Sequence, residues 1–292
     1  MKQTIDTFTD NYGNQIFRIY VSMPPAMKRQ KRLHRHTEFE ISLILSGKGV
    51  YSTTSGEYRF EKGDMFLFST NEYHYITDIE YGDDNYFQIL NIQFAPAFIY
   101  ESGNPKDTLF MNIFLRRTAE FRNMLTRDNP YTEQTRQLFY NVKRECEEKN
   151  LCYRTETRNK VISILINIFR NYNYAETTIS SSASYNIESL QKAIAYINEN
   201  YCYDISLDAI AKAAFLSKFH FMHLFKSTYN MTVWDYINIK RIDKALFLLA
   251  TGNENVLSVA VKSGFNNSAN FNRIFKKITG LTPMEYRKSA KI

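Results

Sequence analysis

Hydrophobic positions along the chain follow two different periods. Between residues 15 and about 95, β-branched and aromatic residues form short runs that glycines interrupt. Short runs with frequent turn signals predict the strands of a barrel or a sandwich. After residue 131, apolar residues recur every three or four positions, as in Val161, Leu165 and Ile168, and this spacing predicts amphipathic helices. The pattern therefore predicts an α+β fold with a β-rich N-terminal part and an all-helical C-terminal part.

One stretch between the helices has no period. Residues 174–186 are rich in Ser and Thr and poor in apolar residues, which is typical of a linker. The linker separates a β-rich domain at 1–130 and a helical segment at 131–173 from a helical domain at 187–292. The helices predicted in the last domain are 187–201, 207–214, 217–229, 233–250, 256–263, 267–278 and 283–288. The length of 292 residues fits two domains of about 150 residues each.

The helical domain repeats itself at an offset of 50 residues. The matched pairs include Leu207 and Leu257, Phe215 and Phe265, Phe221 and Phe271, and Tyr236 and Tyr286. A repeat of this length indicates a duplicated supersecondary unit. Each unit consists of a short helix, a tight turn and a second helix, which is the helix-turn-helix arrangement.

The second helix of each unit is the candidate recognition helix for DNA. One face carries apolar residues at spacings of three and four, and it is predicted to anchor the helix in the core. The other face carries residue types that read DNA, because Arg binds guanine, His and Asn bind other base edges, and Met, Phe and Ala contact thymine methyl groups. Lysines and helix N-termini suit phosphates. The candidate DNA-binding residues are Ser217, Lys218, Phe219, Met222, His223 and Lys226 in the first helix, and Asn267, Ala269, Asn270, Arg273 and Lys277 in the second.

The distribution of charge favours double-stranded DNA as the partner of this face. The chain has a formal net charge of +7. Residues 187–292 contain 14 Lys and Arg against 8 Asp and Glu, a net of +6, which leaves +1 for residues 1–186. A positive charge concentrated in one domain indicates a polyanionic partner. The alternative is a generic helical repeat whose basic face is only solvated, and the local charge disfavours it.

The stretch from Val256 to Arg287 carries a specific motif. Its residues are Ala260, Gly264, Phe265, Phe271, Phe275, Lys276, Gly280, Thr282, Pro283, Tyr286 and Arg287. On these residues, 187–288 resembles the DNA-binding domain of the AraC/XylS family of transcription regulators. The resemblance implies that the two recognition helices enter successive major-groove segments on one face of DNA, held apart by a linking helix at 233–250. It also implies a small-molecule effector, a homodimer and a possible contact with RNA polymerase.

Three histidines lie in the β-rich domain. His34 and His36 are followed by Glu40 and Gly47 in the pattern His-x-His-x3-Glu-x6-Gly, and His74 lies further along the chain. Residues of equal parity on a strand share a face, so His34, His36 and Glu40 are predicted to point into the barrel. This pattern resembles that of the cupins, and the resemblance implies a cupin-like β-barrel of the jelly-roll type.

The His and Glu residues have two interpretations. In metal-binding cupins such residues hold a transition metal, and His34, His36, Glu40 and His74 would suit Fe, Mn, Ni or Zn. Sensor domains of the AraC type resemble cupins but mostly bind a small organic effector, which implies a site without a metal or other cofactor. Polar groups beside aromatic rings favour a sugar. The predicted effector-binding residues are His34, His36, Glu40, Tyr51 and His74, although each histidine could also be a core residue whose hydrogen bonds are satisfied.

The helical segment at 131–173 matches, in place and type, the dimerisation helices of related regulators. On this interpretation Val161, Leu165 and Ile168 form a seam between two helices of a homodimer. The alternative is that these residues pack on the barrel of the same chain.

Cysteine content and hydropathy bear on the compartment. The three cysteines, Cys146, Cys152 and Cys202, do not form a disulfide framework and suit a reducing compartment. The N-terminus has no apolar signal segment. The most apolar window, 161–169, is too short for the about 20 residues that a spanning helix needs. We therefore expect a cytoplasmic protein without a membrane partner.

These features together predict an effector-responsive, sequence-specific transcription regulator that is not an enzyme. We expect it to activate genes of sugar or other small-molecule metabolism. Two alternatives stay open. One is a metal-dependent cupin enzyme fused to a DNA-binding domain, and the other is a constitutive DNA-binding protein with a vestigial sensor.

Overall fold

The computed structural model describes residues 2–10, 15–24, 36–82, 86–99, 109–177, 187–229 and 231–290. Its strands are β1 (Lys2–Thr9), β2 (Gln15–Ser22), β3 (Phe39–Ser46), β4 (Lys48–Thr53), β5 (Gly56–Phe60), β6 (Met65–Phe68), β7 (His74–Glu80), β8 (Gln88–Phe94) and β9 (Met124–Leu125). Its helices are α1 (Pro96–Ile99), α2 (Asn112–Leu115), α3 (Pro130–Glu148), α4 (Tyr153–Asn171), α5 (Ile187–Asn200), α6 (Leu207–Ala213), α7 (Lys218–Tyr229), α8 (Val233–Thr251), α9 (Val256–Lys262), α10 (Ser268–Thr279) and α11 (Pro283–Ala290). The predicted α+β class is confirmed.

The strands form two open antiparallel sheets. One has six strands in the order β1-β2-β8-β3-β6-β9, and the other has three in the order β5-β4-β7. Strand β3 is buried on both faces because the larger sheet has apolar layers on either side. Phe39, Ile41 and Leu43 belong to the core shared with α3 and α4, whereas Ile44 belongs to the core between the sheets. Side chains alternate along a strand, so Glu40 faces the space between the two sheets.

Helices α3 and α4 cover the outer face of the six-stranded sheet. Their apolar side chains, including Phe139 and Val142, join the sheet residues in one core. Val161, Leu165 and Ile168 are fully buried in this core, at 0% exposure. The predicted intermolecular seam at these three residues is therefore wrong, because they pack on the sheet of their own chain. Most of the predicted linker, 178–186, lies outside the described residues.

The C-terminal domain consists of helices α5 to α11, and each begins and ends within two residues of its predicted position. The short helices start at side-chain caps that satisfy free backbone N–H groups. Ser206 caps α6, Asn255 caps α9 and Asn267 caps α10. The 19-residue helix α8 connects the two helix-turn-helix units and packs Ile237, Ile242 and Ala245 among them.

The two units differ in the length of the turn. The first helices of the two units, α6 and α9, correspond at an offset of 49 residues. Phe215 and Gly264, which follow these helices, donate equivalent backbone hydrogen bonds in the two turns. The recognition helices keep the offset of 50, so the second turn has one residue more. The matching bonds are Phe215 N to Lys212 O, Leu216 N to Ala211 O, Gly264 N to Val261 O and Phe265 N to Ala260 O.

The predicted pairings of Leu207 with Leu257 and of Phe215 with Phe265 are therefore wrong. The counterpart of Leu207 is Val256, which packs against the domain core, whereas Leu257 is 61% exposed. Phe265 is 2% exposed, and its structural counterpart is Leu216, which also packs against the domain core. Phe215 is 79% exposed and occupies the position of Gly264.

Among the described residues, no helix is both long and apolar enough to cross a membrane.

Candidate functional site

A buried cluster of two histidines and a glutamate lies between the two sheets. His36 Nε2 is 3.0 Å from Glu40 Oε2, and His74 Nε2 is 3.8 Å from Glu40 Oε1. One ligand atom from each of the three side chains lies within 4.8 Å of the others. The fold thus brings together three of the predicted effector-binding residues. A fourth, His34, lies outside the described residues.

Backbone carbonyl groups orient both imidazole rings. His36 Nδ1 lies 2.8 Å from Glu38 O, and His74 Nδ1 lies 3.0 Å from Glu72 O. A carbonyl oxygen only accepts, so each Nδ1 carries the proton and each Nε2 is turned toward Glu40.

The pKa values of the two imidazole rings are shifted in opposite directions. Burial disfavours the charged form of His36, but the hydrogen bond and the negative charge of Glu40 outweigh it and raise the pKa of His36. Burial lowers the pKa of His74 to about 4, against the opposing attraction of Glu40. The proton of the pair is therefore held more firmly by His36, beside Glu40, while His74 is neutral at neutral pH and presents an acceptor nitrogen at Nε2.

Side chains of β3 and of the neighbouring strand β8 hold the Glu40 carboxylate in place. Gln93 Nε2 donates to Glu40 Oε2 at 2.6 Å, and Ser42 Oγ donates to Glu40 Oε1 at 2.8 Å. The sheet register explains the first contact, because Glu40 pairs with Gln93 of β8. Ser42 lies two residues further along the same strand as Glu40 and therefore shares its face, and Ser42 itself pairs with Asn91 of β8. The sequence analysis missed Gln93 and Asn91. Their signal was a polar side chain at alternate positions of an otherwise apolar strand.

Aromatic rings form the wall of the cluster. Phe68 stacks on His74 with ring centroids 3.9 Å apart, and the Tyr51 ring lies 6.2 Å from that of His74. Tyr51 is 3% exposed, and burial raises its pKa well above the usual range. The cluster can therefore exchange hydrogen bonds with a small polar molecule inside an apolar surround. Its two imidazoles and one carboxylate also suit a transition-metal ion.

The segments that carry the two histidines also touch the helical domain. In the loop from Ser69 to Tyr73, which we call the β6–β7 loop, Thr70 Oγ1 donates to Tyr229 O and Tyr73 Oη donates to Lys277 O at 3.2 Å. These acceptors lie at the C-terminal ends of α7 and α10. The same loop is fixed to the other histidine, because Asn71 N donates to His36 O at 2.8 Å.

The recognition helices place their two faces as predicted. The apolar faces are buried, with Phe221, Phe225, Phe271 and Phe275 at 0% exposure. All of the candidate DNA-binding residues are exposed, and they are Ser217, Lys218, Phe219, Met222, His223, Lys226, Asn267, Ala269, Asn270, Arg273 and Lys277.

Some of these residues are held in position within their helix. Arg273 Nη2 donates to Asn270 Oδ1 at 2.9 Å, which orders two neighbouring polar groups on α10. Ser217 Oγ accepts from His220 N at 3.4 Å, and Asn267 Oδ1 accepts from Asn270 N at 3.0 Å. Ser217 and Asn267 therefore cap their helices.

An N-terminal two-sheet domain with an internal polar cluster, followed by two exposed recognition helices, defines a ligand-binding regulator of the double helix-turn-helix class. The family of the AraC-like ligand binding domain matches residues 24–143, and a helix-turn-helix domain family matches residues 210–289. The Tn10 TetD protein of Escherichia coli is 31% identical over 100 residues, which cover 34% of this chain and 72% of TetD. The chain belongs to the AraC family of transcription regulators.

More distant relatives extend over most of the chain. The melibiose operon regulatory protein of Escherichia coli K12 is 24% identical over 267 residues, covering 87% of this chain and 83% of the relative. The activator RhaR of Mannheimia succiniciproducens is 23% identical over 257 residues, covering 87% and 86%. The structure of ToxT from Vibrio cholerae has a TM-score of 0.55 at 15% identity and covers 95% of this chain and all of ToxT. ToxT thus shares the fold.

Proposed function

We propose that the exposed faces of α7 and α10 read double-stranded DNA in sequence-specific fashion. The observation that carries this proposal is the separation of faces, since every candidate contact residue is exposed while the apolar residues between them form the core. The net charge of +6 in the same domain supplies the attraction to phosphate. The residues that would contact bases are Phe219, Met222, His223, Ala269, Asn270 and Arg273.

A selection from random DNA followed by titration tests this proposal. We expect one enriched site with two half-sites about one helical turn apart, because each chain has two recognition helices. Affinity for this site should fall steeply with salt, as it does when lysines displace counterions from phosphates. Equal affinity for selected and unselected DNA would contradict sequence-specific reading.

The cluster of His36, Glu40 and His74, together with Tyr51, is the proposed effector site, to which we also assign His34. We favour a sugar, because the cluster offers two imidazole rings and a carboxylate beside aromatic rings. The name of the melibiose operon regulatory protein points to a sugar operon. A ToxT structure contains an unsaturated fatty acid, and the polar lining here argues against such a ligand.

A thermal-melting panel of monosaccharides tests the effector site. A sugar at about 100 times its Kd should stabilise the fold by about 2.7 kcal/mol. The same sugar should lose its effect on a His74→Phe variant, which keeps the ring stack on Phe68 but removes the acceptor nitrogen. The absence of any stabilised sample would favour the vestigial-sensor alternative.

Effector binding has a direct route to the DNA-binding domain. The β6–β7 loop hydrogen-bonds both to the ends of the recognition helices and to the backbone of His36. Thr37 and Glu38 follow His36 and line a cavity of about 20 Å³ together with Tyr229 and Tyr236 of the helical domain. A ligand that moves either histidine therefore shifts the population of domain arrangements. We propose that this shift activates transcription, with RNA polymerase as a partner.

A metal-dependent activity is the second candidate, and the three ligand atoms within 4.8 Å favour it. His36, Glu40 and His74 would hold the ion, which would supply Lewis acidity. Elemental analysis of the purified protein for Fe, Mn, Ni and Zn, with His36→Gln as control, decides between the two. A stoichiometric ion that is lost in the variant supports a metal site. A protein free of metal that also fails to bind added Zn²⁺ excludes it.

We also propose a homodimer and keep the boundaries 1–130, 131–173, 174–186 and 187–292 for the sensor, helical segment, linker and DNA-binding domain. Because the apolar stripe of α4 is buried within the chain, the dimer contact would use the outer surface of α3 and α4. Tyr140 on α3 is 42% exposed, and Leu151, in the turn between α3 and α4, is 96% exposed. Light scattering of Leu151→Asp tests this assignment, since a shift from dimer to monomer is expected.

A further inference from the structure

The turn of the first helix-turn-helix unit holds an exposed aromatic residue in an unfavourable backbone conformation. Phe215 has φ of 57° and is 79% exposed. The left-handed region is costly for a bulky L-residue and cheap for glycine. At the equivalent position the second unit has Gly264, with φ of 93°. Strain of this kind persists at sites where the side chain has a function.

A basic rim surrounds the ring of Phe215. Lys192 Nζ, from α5, lies 4.9 Å from the centroid of the ring. The ring borders an open depression of about 580 Å³, which Lys212 and Lys218 also line. Lys218 Nζ is 2.7 Å from Asp208 Oδ2. Among the described residues that line the depression, two lysines stand against one aspartate, so the lining is positive around an apolar centre.

The surface is continuous with the proposed DNA-binding face of α7. Ser217 and Lys218 belong to both, and Phe219, which is 84% exposed, follows one residue later. The second unit lacks these features, because Val261 stands at the position of Lys212, and Ser268 at that of Lys218. Phe215 and its lysines therefore form a surface that one unit has and the other does not.

We propose that this surface binds the sugar-phosphate backbone of double-stranded DNA beside the groove that α7 enters. The Phe215 ring packs on a deoxyribose, and Lys192 and Lys212 bind the adjoining phosphates. The proposal rests on the DNA-binding function above and adds a backbone contact to it. Continuity with Ser217 and Lys218 and the positive rim favour DNA over a protein partner. Contacts to sugar and phosphate carry no direct sequence information, so their loss weakens binding to all sequences alike.

The test compares Phe215→Gly and Phe215→Asn with the wild type in DNA titrations and thermal melts. Both replacements tolerate a positive φ, so the melting temperature should stay equal or rise. DNA affinity should fall about tenfold, by the same factor on the selected site and on unrelated DNA. Leu257→Ala is the matched control, since Leu257 is an exposed apolar residue of the second unit at 61% exposure, and it should bind as the wild type does.

The salt dependence of binding gives a second readout. Lys192→Gln should reduce the slope of log K against log salt by about 1, whereas Phe215→Gly should leave the slope unchanged. Unchanged DNA affinity in both Phe215 variants would overturn the proposal, and a simultaneous loss of reporter transcription would then assign the surface to a protein partner. If the wild type itself failed to bind DNA, the proposed function would fail first, and that result is visible without any Phe215 variant.

Discussion

The two domains place their functional polar residues differently, in the interior of the sensor and on the surface of the DNA-binding domain. In the sensor, Glu40 and His74 are each 3% exposed and lie between two sheets. In the DNA-binding domain, the candidate DNA-binding residues of α7 and α10 are exposed, whereas Phe221, Phe225, Phe271 and Phe275 are inside. A buried polar group must find its partners within the chain, whereas an exposed one can find them on another molecule.

This difference determines what a substitution changes. In the sensor, the loss of one polar group leaves others buried and unpaired, so the free energy of unfolding falls. On the recognition helices, the loss of a polar group leaves folding nearly untouched and lowers the affinity for DNA. Four substitutions test this contrast, and they are ordered by the size of the expected effect.

The largest effect is expected for Glu40→Leu. His36, Gln93 and Ser42 would all lose the carboxylate that they contact at 2.6 to 3.0 Å. Removing one partner of a buried ion pair costs about 3–5 kcal/mol. Denaturant unfolding followed by circular dichroism measures this loss.

The control for that measurement is Glu80→Gln on the same domain. Glu80 pairs with Lys48 at 3.1 Å, but both side chains are more than half exposed, so the change should be below about 1 kcal/mol. If both variants unfolded alike, the Glu40 network would not contribute to stability, and the contrast between the domains would be lost.

The sequence predicted one side of this contrast better than the other. Helices α5 to α11 follow from a periodic pattern and local caps, so their ends were predicted within two residues. The histidines and Glu40 could be found from their spacing. Asn91 and Gln93 could be recognised only as polar residues on an apolar strand, because their link to Glu40 and Ser42 depends on the pairing of β3 with β8.

Two errors have physical causes that the sequence does not reveal. An apolar stripe such as that of α4 requires a cover, but it does not say whether the cover is the same chain or a second copy. The recognition helices correspond at an offset of 50, and at this offset Phe215 aligns with Phe265 by coincidence of residue type. The second turn has one residue more than the first, so the residues before the turn correspond at an offset of 49 instead. Only backbone hydrogen bonds separate a buried Phe265 from an exposed Phe215.

The second prediction concerns Gly264→Ala. A Cβ at this position would lie 2.6 Å from Tyr201 O and 2.8 Å from Cys202 Cα, at a φ of +93°. Steric overlap and an unfavourable φ together should destabilise the fold by about 3 kcal/mol, as a thermal melt will show. Gly56→Ala separates the two causes, because Gly56 also has a positive φ but nothing lies within 4 Å of an added Cβ. A larger loss in Gly56→Ala would contradict the role of the Tyr201 contact.

The third prediction is that Arg273→Ala affects binding and not folding. Its unfolding free energy should stay within about 0.5 kcal/mol of the wild type, since the side chain is exposed. Binding to the selected site should weaken by about 1–3 kcal/mol, with discrimination lost at one base position. Titration against the site and its single-base variants measures this loss, and Lys288→Ala on α11 controls for the removal of charge alone. Equal weakening on all sequences would assign Arg273 to phosphate.

The smallest effect is expected where the two domains meet. Tyr73→Phe removes the hydrogen bond to Lys277 O at the end of α10, and a single hydrogen bond of this kind contributes about 0.5–1.5 kcal/mol. The protein should fold as the wild type does, but its affinity for the selected DNA without effector should change by up to about tenfold, because the domain arrangement is less restrained. Tyr86→Phe, at an exposed tyrosine of the same domain, should leave DNA affinity unchanged. If Tyr73→Phe also leaves DNA affinity unchanged, the β6–β7 loop does not couple the buried cluster of His36, Glu40 and His74 to the recognition helices. Effector binding and DNA binding would then be independent of this loop.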